Sequence, residues 1–398
     1  MKDLSRLTSV DSVDNVLIYI SDSLRYDSLP ESISSLGVTA RAIAPSTLTA
    51  SSVPSILTGQ FPHEHKVWGF SGQLREVPHL LSTAHSSGVN VERVWGNEYE
   101  LNEKPTLTLL NLDEHTAFSE LEQPFTYVIH DHGGHSPYGE AGERFKPSRK
   151  FFTENRNDET SIRTQYRDGV SQSVDRFRSI YRRLRDRDEL NNTLVVFTSD
   201  HGELLGEYGG LYEHTSPMVP ELLEVPLVFC GAGLPRDVTY ETLLSSLDIA
   251  PTLLGAQNRP VPSSMGGLDL WNGTRSERPI RADVWRRSSY GDRIRYAASS
   301  VWDEKGGIVV HRGPRTGRLV FALGANLYVA PYAPIVRKRA VSNVRKMLSV
   351  FLPQTVMYGE YEGDISAEEL SRPEFRANRD AEQVDVDSEK LRALGYVE

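Results

Sequence analysis

Thr193-Leu194-Val195-Val196-Phe197-Thr198-Ser199-Asp200-His201-Gly202-Glu203 is the stretch that decides the fold. Residues 193–198 carry no charge, are rich in β-branched and aromatic side chains, and do not alternate with polar residues. That pattern predicts a strand buried on both faces, as in a parallel sheet covered by helices. The strand ends on an Asp-His pair, which offers a hard oxygen and an imidazole nitrogen side by side, a donor set suited to zinc or manganese.

Two further runs read the same way. Asn15-Val16-Leu17-Ile18-Tyr19-Ile20 leads to Asp22, and Phe125-Thr126-Tyr127-Val128-Ile129-His130 leads to Asp131. Between the second run and Thr193, apolar residues recur every three or four positions at Ile162, Tyr166, Val170, Val174, Phe177, Tyr181 and Leu184, the spacing of a helix with one face on a sheet. Strand, helix and strand in this order imply a mostly parallel α/β sheet with right-handed crossovers. Ligands collect at the carboxyl ends of such strands, so Asp22, Asp131 and Asp200 are expected on one rim.

Outside this frame, Val225–Phe229 predicts another strand and Leu243–Leu254 a helix. From Ile280 the segments shorten; Ile308-Val309-Val310 and Arg318-Leu319-Val320-Phe321, set between glycine turns, predict a small antiparallel α+β subdomain. The expected organisation is a catalytic domain over 1–275, a subdomain over 276–358, and an acidic segment over 359–398 ending in a short helix. The basic stretch Arg337–Lys346 reads as a solvated helix face. With 398 residues, 38% hydrophobic and 25% charged, the chain has ample core material. Its net charge of -10, with arginines scattered among acids, disfavours nucleic-acid binding. No apolar run approaches the roughly 20 residues of a membrane span, and the N-terminus lacks a secretory pattern, so a cytoplasmic location is expected. Cys230, the single cysteine, reads as a buried core residue.

The segment Pro45-Ser46-Thr47-Leu48-Thr49-Ala50-Ser51-Ser52-Val53-Pro54-Ser55-Ile56-Leu57-Thr58-Gly59 is a hydroxyl-rich loop entering a short helix that Gly59 can stop. Thr49 would lie at the helix N-terminus, where backbone N–H groups favour an anion. From the residues alone, the hydroxyls serve equally well as turn and cap groups.

The stretch Thr49–Gly59 resembles the nucleophile segment of sulfatases, in which a Cys or Ser precedes a Thr-Gly whose glycine lies ten residues on; counting back from Gly59 puts Thr49 at the nucleophile. It also resembles the threonine region of phosphoethanolamine transferases, and Pro62-His63-Glu64-His65-Lys66-Val67 fits the sulfatase Pro-His-x-His-x-Val tail. Asp200-His201-Gly202 matches the Ser-Asp-His-Gly signature of the alkaline phosphatase and sulfatase superfamily. Leu204–Gly209, Asp248–Leu254 and Leu391–Tyr396 extend the resemblance along nearly the whole chain. It implies an alkaline phosphatase-like fold and a metal-dependent ester hydrolase or transferase, with Asp22, Thr49, Asp200 and His201 around one ion.

Asp131 and His135 are similar to the Asp-x-x-Gly-His ligands of nucleotide pyrophosphatase/phosphodiesterases, and His214 would complete a second set. His135-Ser136-Pro137-Tyr138 also fits the His-x-Pro-Tyr motif of sulfatases and phosphonate monoester hydrolases, where the histidine contacts substrate. Both roles stay open for His135; His130 and His132 are read as orienting ligands or packing. Glu213 stands where that family carries a lysine, and Ser23 where calcium sulfatases carry a second acid. These departures imply two zinc or manganese ions, with calcium expected for a single sulfatase-like site. Glu213, Tyr138 and Asn97 are the candidate substrate contacts. Because threonine cannot yield the formylglycine aldehyde of sulfatases, the expectation is hydrolysis or transfer of a phosphate mono- or diester through a phosphothreonine on Thr49. The alternatives are a sulfate-ester hydrolase and an inactive binding protein. The ester could be a small molecule, a glycan or a lipid head group.

Overall fold

The computed structural model describes residues 3–92, 105–139, 147–214, 217–273, 278–288, 291–367 and 370. A seven-stranded sheet forms the centre. Its strands are β1 (Asn15–Ser21), β2 (Val38–Ile43), β3 (Ser86–Glu92), β4 (Phe125–Asp131), β5 (Thr193–Thr198), β8 (Glu224–Gly231) and β9 (Val238–Ser245), in the order β3-β4-β1-β5-β8-β2-β9. The three runs ending in aspartate are the central neighbours β4, β1 and β5, paired in parallel. β8 runs against β5 and β2, so the sheet is mixed. A two-stranded ribbon joins β6 (Leu204–Leu205) to β7 (Tyr212–Glu213).

Both faces of the sheet are buried, as the uninterrupted apolar runs require. Leu17 and Tyr19 of β1 pack into one core with Tyr166, Val170 and Phe177 of helix α2 (Glu159–Asp186). Val16, Ile18 and Ile20 face the opposite core, built with Val53 and Ile56 of helix α1 (Thr49–Thr58) and Leu253 of helix α3 (Ile249–Ala256). Alternate residues of one strand therefore meet different helices.

A four-stranded antiparallel sheet follows: β10 (Ile280–Ser288), β11 (Gly291–Trp302), β12 (Gly306–His311) and β13 (Thr355–Gly359). Helices α4 (Arg315–Gly324) and α5 (Ala340–Phe351) fill the connection between β12 and β13. Two expectations are corrected here. Arg318–Phe321 is helical, its Arg318, Phe321 and Ala322 forming the buried face of α4. Leu243 and Leu244 belong to β9, and the helix starts only at Ile249, after a capped turn at Ser245–Asp248. In both places a short apolar run fits either period, and neighbouring elements decide. Among the described residues no helix is long and apolar enough to cross a membrane. The expected terminal helix lies outside the described residues.

Candidate active site

The strand ends are tied together by backbone and carboxylate. The Asp22 N–H donates to the Asp131 carbonyl (2.8 Å), joining the ends of β1 and β4. Asp200 Oδ1 accepts from the Ser23 N–H at 3.3 Å and the His201 N–H at 3.0 Å, joining β1 to β5. Ser23 adopts a left-handed conformation (φ 61°) and sends its hydroxyl to Asp22 Oδ1 at 2.9 Å. Gly202 allows the loop after His201 to pass the 220–223 turn: its N–H donates to the Leu222 carbonyl (2.8 Å), and a Cβ there would lie 2.0 Å from the Glu221 carbonyl oxygen.

Thr49 is the first residue of α1, and Gly59 ends the helix in the left-handed region at φ 64°. The buried Thr49 Oγ1 lies 3.0 Å from His201 Nε2. That nitrogen is also 3.4 Å from Asp200 Oδ2 and 3.7 Å from Asp22 Oδ1. Asp22, Asp200 and His201 each bring one ligand atom into a cluster no wider than 4.8 Å. Asp22 Oδ2 and Asp200 Oδ2 are buried and accept no hydrogen bond. Two fully buried carboxylates this close are costly unless a cation compensates them. His201 Nδ1 donates to the Gly202 carbonyl at 2.9 Å, which leaves Nε2 as the electron-pair donor facing the carboxylates. The residues therefore fit a divalent cation.

The electrostatics agree. Burial raises the Asp200 carboxyl, and the neighbouring Asp22 charge raises it further. Burial would raise Asp22 too, but His135, His130 and His201 overcome it and hold that carboxyl well below the usual range. His130, with Nε2 3.5 Å from Asp22 Oδ2 and Nδ1 2.8 Å from the Thr106 hydroxyl, is raised by Asp22 against the opposing effect of burial. It thus bears on both buried acids, a role a lone histidine at the end of an apolar run does not advertise.

The second expected ligand set separates. His135 and His214 are neighbours, with ring centroids 4.8 Å apart, and His214 stacks on His201 at 4.2 Å. His135 Nδ1 donates to the Ser136 carbonyl (2.6 Å), and His214 Nδ1 lies 3.2 Å from Glu203 Oε2. Asp131 does not join them. Its oxygens accept from Arg176 Nε (2.5 Å) and Nη2 (2.8 Å) and from the Gly133 N–H (2.8 Å). Burial opposes ionisation there, but the Arg176 fork holds the Asp131 carboxyl down at about 2. Asp131 braces the rim and faces Arg176 rather than the histidines.

Of the expected substrate contacts, Tyr138 donates to Glu203 Oε1, and Glu213, at φ 63°, accepts from the Ser136 hydroxyl at 2.8 Å. Both are buried and serve internal bonds; Asn97 lies outside the described residues. Glu203, fully buried, has a carboxyl pushed well up by burial, with Glu213 and Asp22 adding to the effect and Tyr138 opposing it.

The Pro-His-x-His tail and the second sheet hold the segment that carries Thr49. Ser55 Oγ is 2.8 Å from His65 Nε2, and burial followed by the nearby His63 lowers His65 to about 3, leaving a neutral imidazole against α1. His63 Nδ1 lies 3.4 Å from the buried Asp283 of β10. The Asp283 N–H donates to the Pro45 carbonyl at 2.9 Å, and its carboxylate accepts from Ser299 (2.5 Å) and Arg281 (2.8 Å). Asp283 carries no local motif that would have singled it out.

Comparison with known proteins points the same way. The Sulfatase family profile matches residues 14–258. The low-salt glycan biosynthesis sulfotransferase Agl7 of Haloferax volcanii is 37% identical over 412 residues, covering 99% of each chain. Arylsulfatase K of Canis lupus familiaris is 36% identical over 87 residues, 22% of this chain and 16% of that protein. The phosphonate monoester hydrolase from Silicibacter pomeroyi superposes with a TM-score of 0.57 at 14% identity, over 84% of this chain and 96% of the other. A 2-O GAG sulfatase gives 0.56 at 16% identity, over 85% and 92%. At such identities the two solved structures share the fold.

Proposed function

Because the chain belongs to the sulfatase family, we propose that it moves the sulfuryl group of a sulfate ester, on a glycan, with Thr49 as the nucleophile. The supporting observation is the placement of Thr49 Oγ1 3.0 Å from His201 Nε2, beside the buried Asp22 and Asp200. End-to-end similarity to a glycan-biosynthesis sulfotransferase favours sulfuryl chemistry on a sugar. A divalent cation, zinc or manganese, held by Asp22, Asp200 and His201 would lower the pKa of an alcohol and draw charge from the ester oxygens.

The chain's own groups carry the remaining steps. Thr49 Oγ attacks sulfur in line with the donor oxygen; the new S–O bond forms as the old one breaks, leaving a threonine O-sulfate. His135 or His214 takes the Thr49 proton and returns it to the departing oxygen. A sugar hydroxyl or water then attacks the same sulfur and gives its proton to the imidazole, which passes it to Thr49 Oγ as the threonine S–O bond breaks. His130 stabilises the buried carboxylates throughout, and Glu203 orients His214.

Phosphoryl transfer by the same route is the second reading, favoured by threonine itself, which cannot supply the aldehyde nucleophile of formylglycine sulfatases. Turnover of aryl sulfate, aryl phosphate monoester and aryl phosphate diester, measured in parallel, separates the two. High-resolution mass spectrometry of the Thr49 peptide after a quench then distinguishes a sulfo from a phospho adduct. Thr49→Ala is expected to lower turnover by about 10³-fold or more while retaining bound cation. Undiminished turnover in that variant would sink the nucleophile assignment under either reading.

A further inference from the structure

Acids outnumber bases 54 to 44 in the whole chain, yet residues 305–359 contain nine Lys and Arg and no Asp or Glu. This stretch holds β12, α4, α5 and β13. Lys305 pairs with Glu362, but the cations of 337–346 stand apart from acids. Arg337, Lys338, Arg339, Arg345 and Lys346 are exposed, and among the described residues none of them forms an ion pair.

The same stretch carries the molecule's exposed apolar surface. Of the six large hydrophobic side chains exposed among the described residues, Val320, Tyr328, Val329, Val341 and Met357 lie in it. Val341 is 91% exposed, Val320 72% and Tyr328 70%. Such exposure is ordinary for single residues, but its concentration beside unpaired cations is not.

Packing explains how they come to be presented. Phe321 of α4 and Phe351 of α5 both pack on Tyr296 of β11, with ring centroids 5.3 and 5.6 Å away. The helices thus turn their apolar faces to one strand and leave Val320, Val341 and Arg345 outside. The π-helical segment Ala325–Val329 is held by Arg337 Nη1 on the Leu327 carbonyl (2.7 Å) and by Arg149 on the Tyr328 and Val329 carbonyls, which adds another exposed cation beside Tyr328.

Met357 points to the other side of the sheet with its partner Ile308, so the surface is that of the helical part alone. We propose that Val320, Tyr328, Val329 and Val341 with the cations of 337–346 dock on an anionic lipid bilayer surface. Charge complementarity selects a polyanion, and the exposed Val and Tyr side chains select one with an apolar layer below its charges. A nucleic acid would use the cations but gain nothing from Val320 and Val341. The inference rests on this surface alone and is independent of which ester the active site takes.

Co-sedimentation of the full chain with vesicles of phosphatidylglycerol and phosphatidylcholine, against phosphatidylcholine alone, is the test, with heparin as a polyanion lacking an apolar layer. The expected result is binding to the anionic vesicles only. Arg345→Gln with Lys346→Gln should weaken it about 30-fold. Val341→Ser should weaken vesicle binding but leave heparin binding unchanged. Aryl ester turnover and melting temperature, unaltered in both variants, serve as controls for folding. No binding to anionic vesicles would overturn the proposal, as would vesicle binding indifferent to both variants. Equal sensitivity of vesicles and heparin to the charge change, with none to Val341→Ser, would instead make the surface a general polyanion site.

Discussion

Replacing Arg176 by Met tests whether Asp131 is a brace or a ligand. Methionine keeps an aliphatic stem against the sheet and removes the fork that holds both Asp131 oxygens. A carboxyl held at about 2 in the folded protein and near 3.9 in the unfolded chain stabilises the fold by about 2.5 kcal/mol at neutral pH. Without Arg176 the fully buried carboxylate is left uncompensated, and breaking such a buried pair costs about 3–5 kcal/mol in all, the lost contribution included. Arg176 is 29% exposed, so water screens part of the loss and the lower end applies. A deficit of about 3 kcal/mol in a chain of this size lowers the melting temperature by about 4 °C.

The sign with pH follows from the depressed pKa. The stabilisation in the wild type is complete above the unfolded pKa and disappears as pH falls through the folded one. The variant's deficit should therefore be full at pH 7 and shrink on acidification, as Asp131 becomes protonated in the variant. Urea denaturation at neutral and mildly acid pH measures the deficit, and elemental analysis of the folded variant measures its cation content. A brace predicts lost stability with cation content intact. Cation loss with unchanged stability would refute this reasoning and restore Asp131 as a ligand.

Two other outcomes bear on the site. Gly202→Ala must displace the backbone at Glu221, since its Cβ would lie 2.0 Å from that carbonyl oxygen; a loss of about 3 kcal/mol is expected, with turnover falling as His201 moves, and a neutral melting temperature would contradict the packing. Chelation should abolish ester turnover, and zinc or manganese at about 100 times its dissociation constant should raise stability by about 2.7 kcal/mol. Asp200→Asn should erase that stabilisation, and its persistence would place the cation elsewhere.

The central strands were legible because continuous apolar runs have one economical solution, a strand covered on both faces. β1, β4 and β5 end where the charged residues begin, so their shared rim could be read before any contact was known. That Asp22, Asp200 and His201 come together beside Thr49 was legible through spacing and motif. Two other strands were not: β2, between β8 and the edge strand β9, includes Arg41, and the edge strand β3 has a glycine and an asparagine among its apolar residues, so neither carries a distinctive run. Arg318–Phe321 was misread because four residues cannot distinguish a helix from a strand, and α4 is helical because its buried face meets Tyr296 and Phe351.

Local sequence determined the layered sheet, the aspartates at its carboxyl rim, and the threonine at the start of α1, because each depends on periodicity and chain direction over a few residues. Tertiary structure alone decided how the acids divide. Asp22 and Asp200 meet His201 and Thr49, whereas Asp131, equally placed at its strand end, meets Arg176 from α2 and is neutralised there. It also supplied Asp283 as the anchor of the segment that leads into Thr49 and left the cations of 337–346 outside. Those outcomes depend on partners far apart in the chain, and pairing across such separations follows from packing.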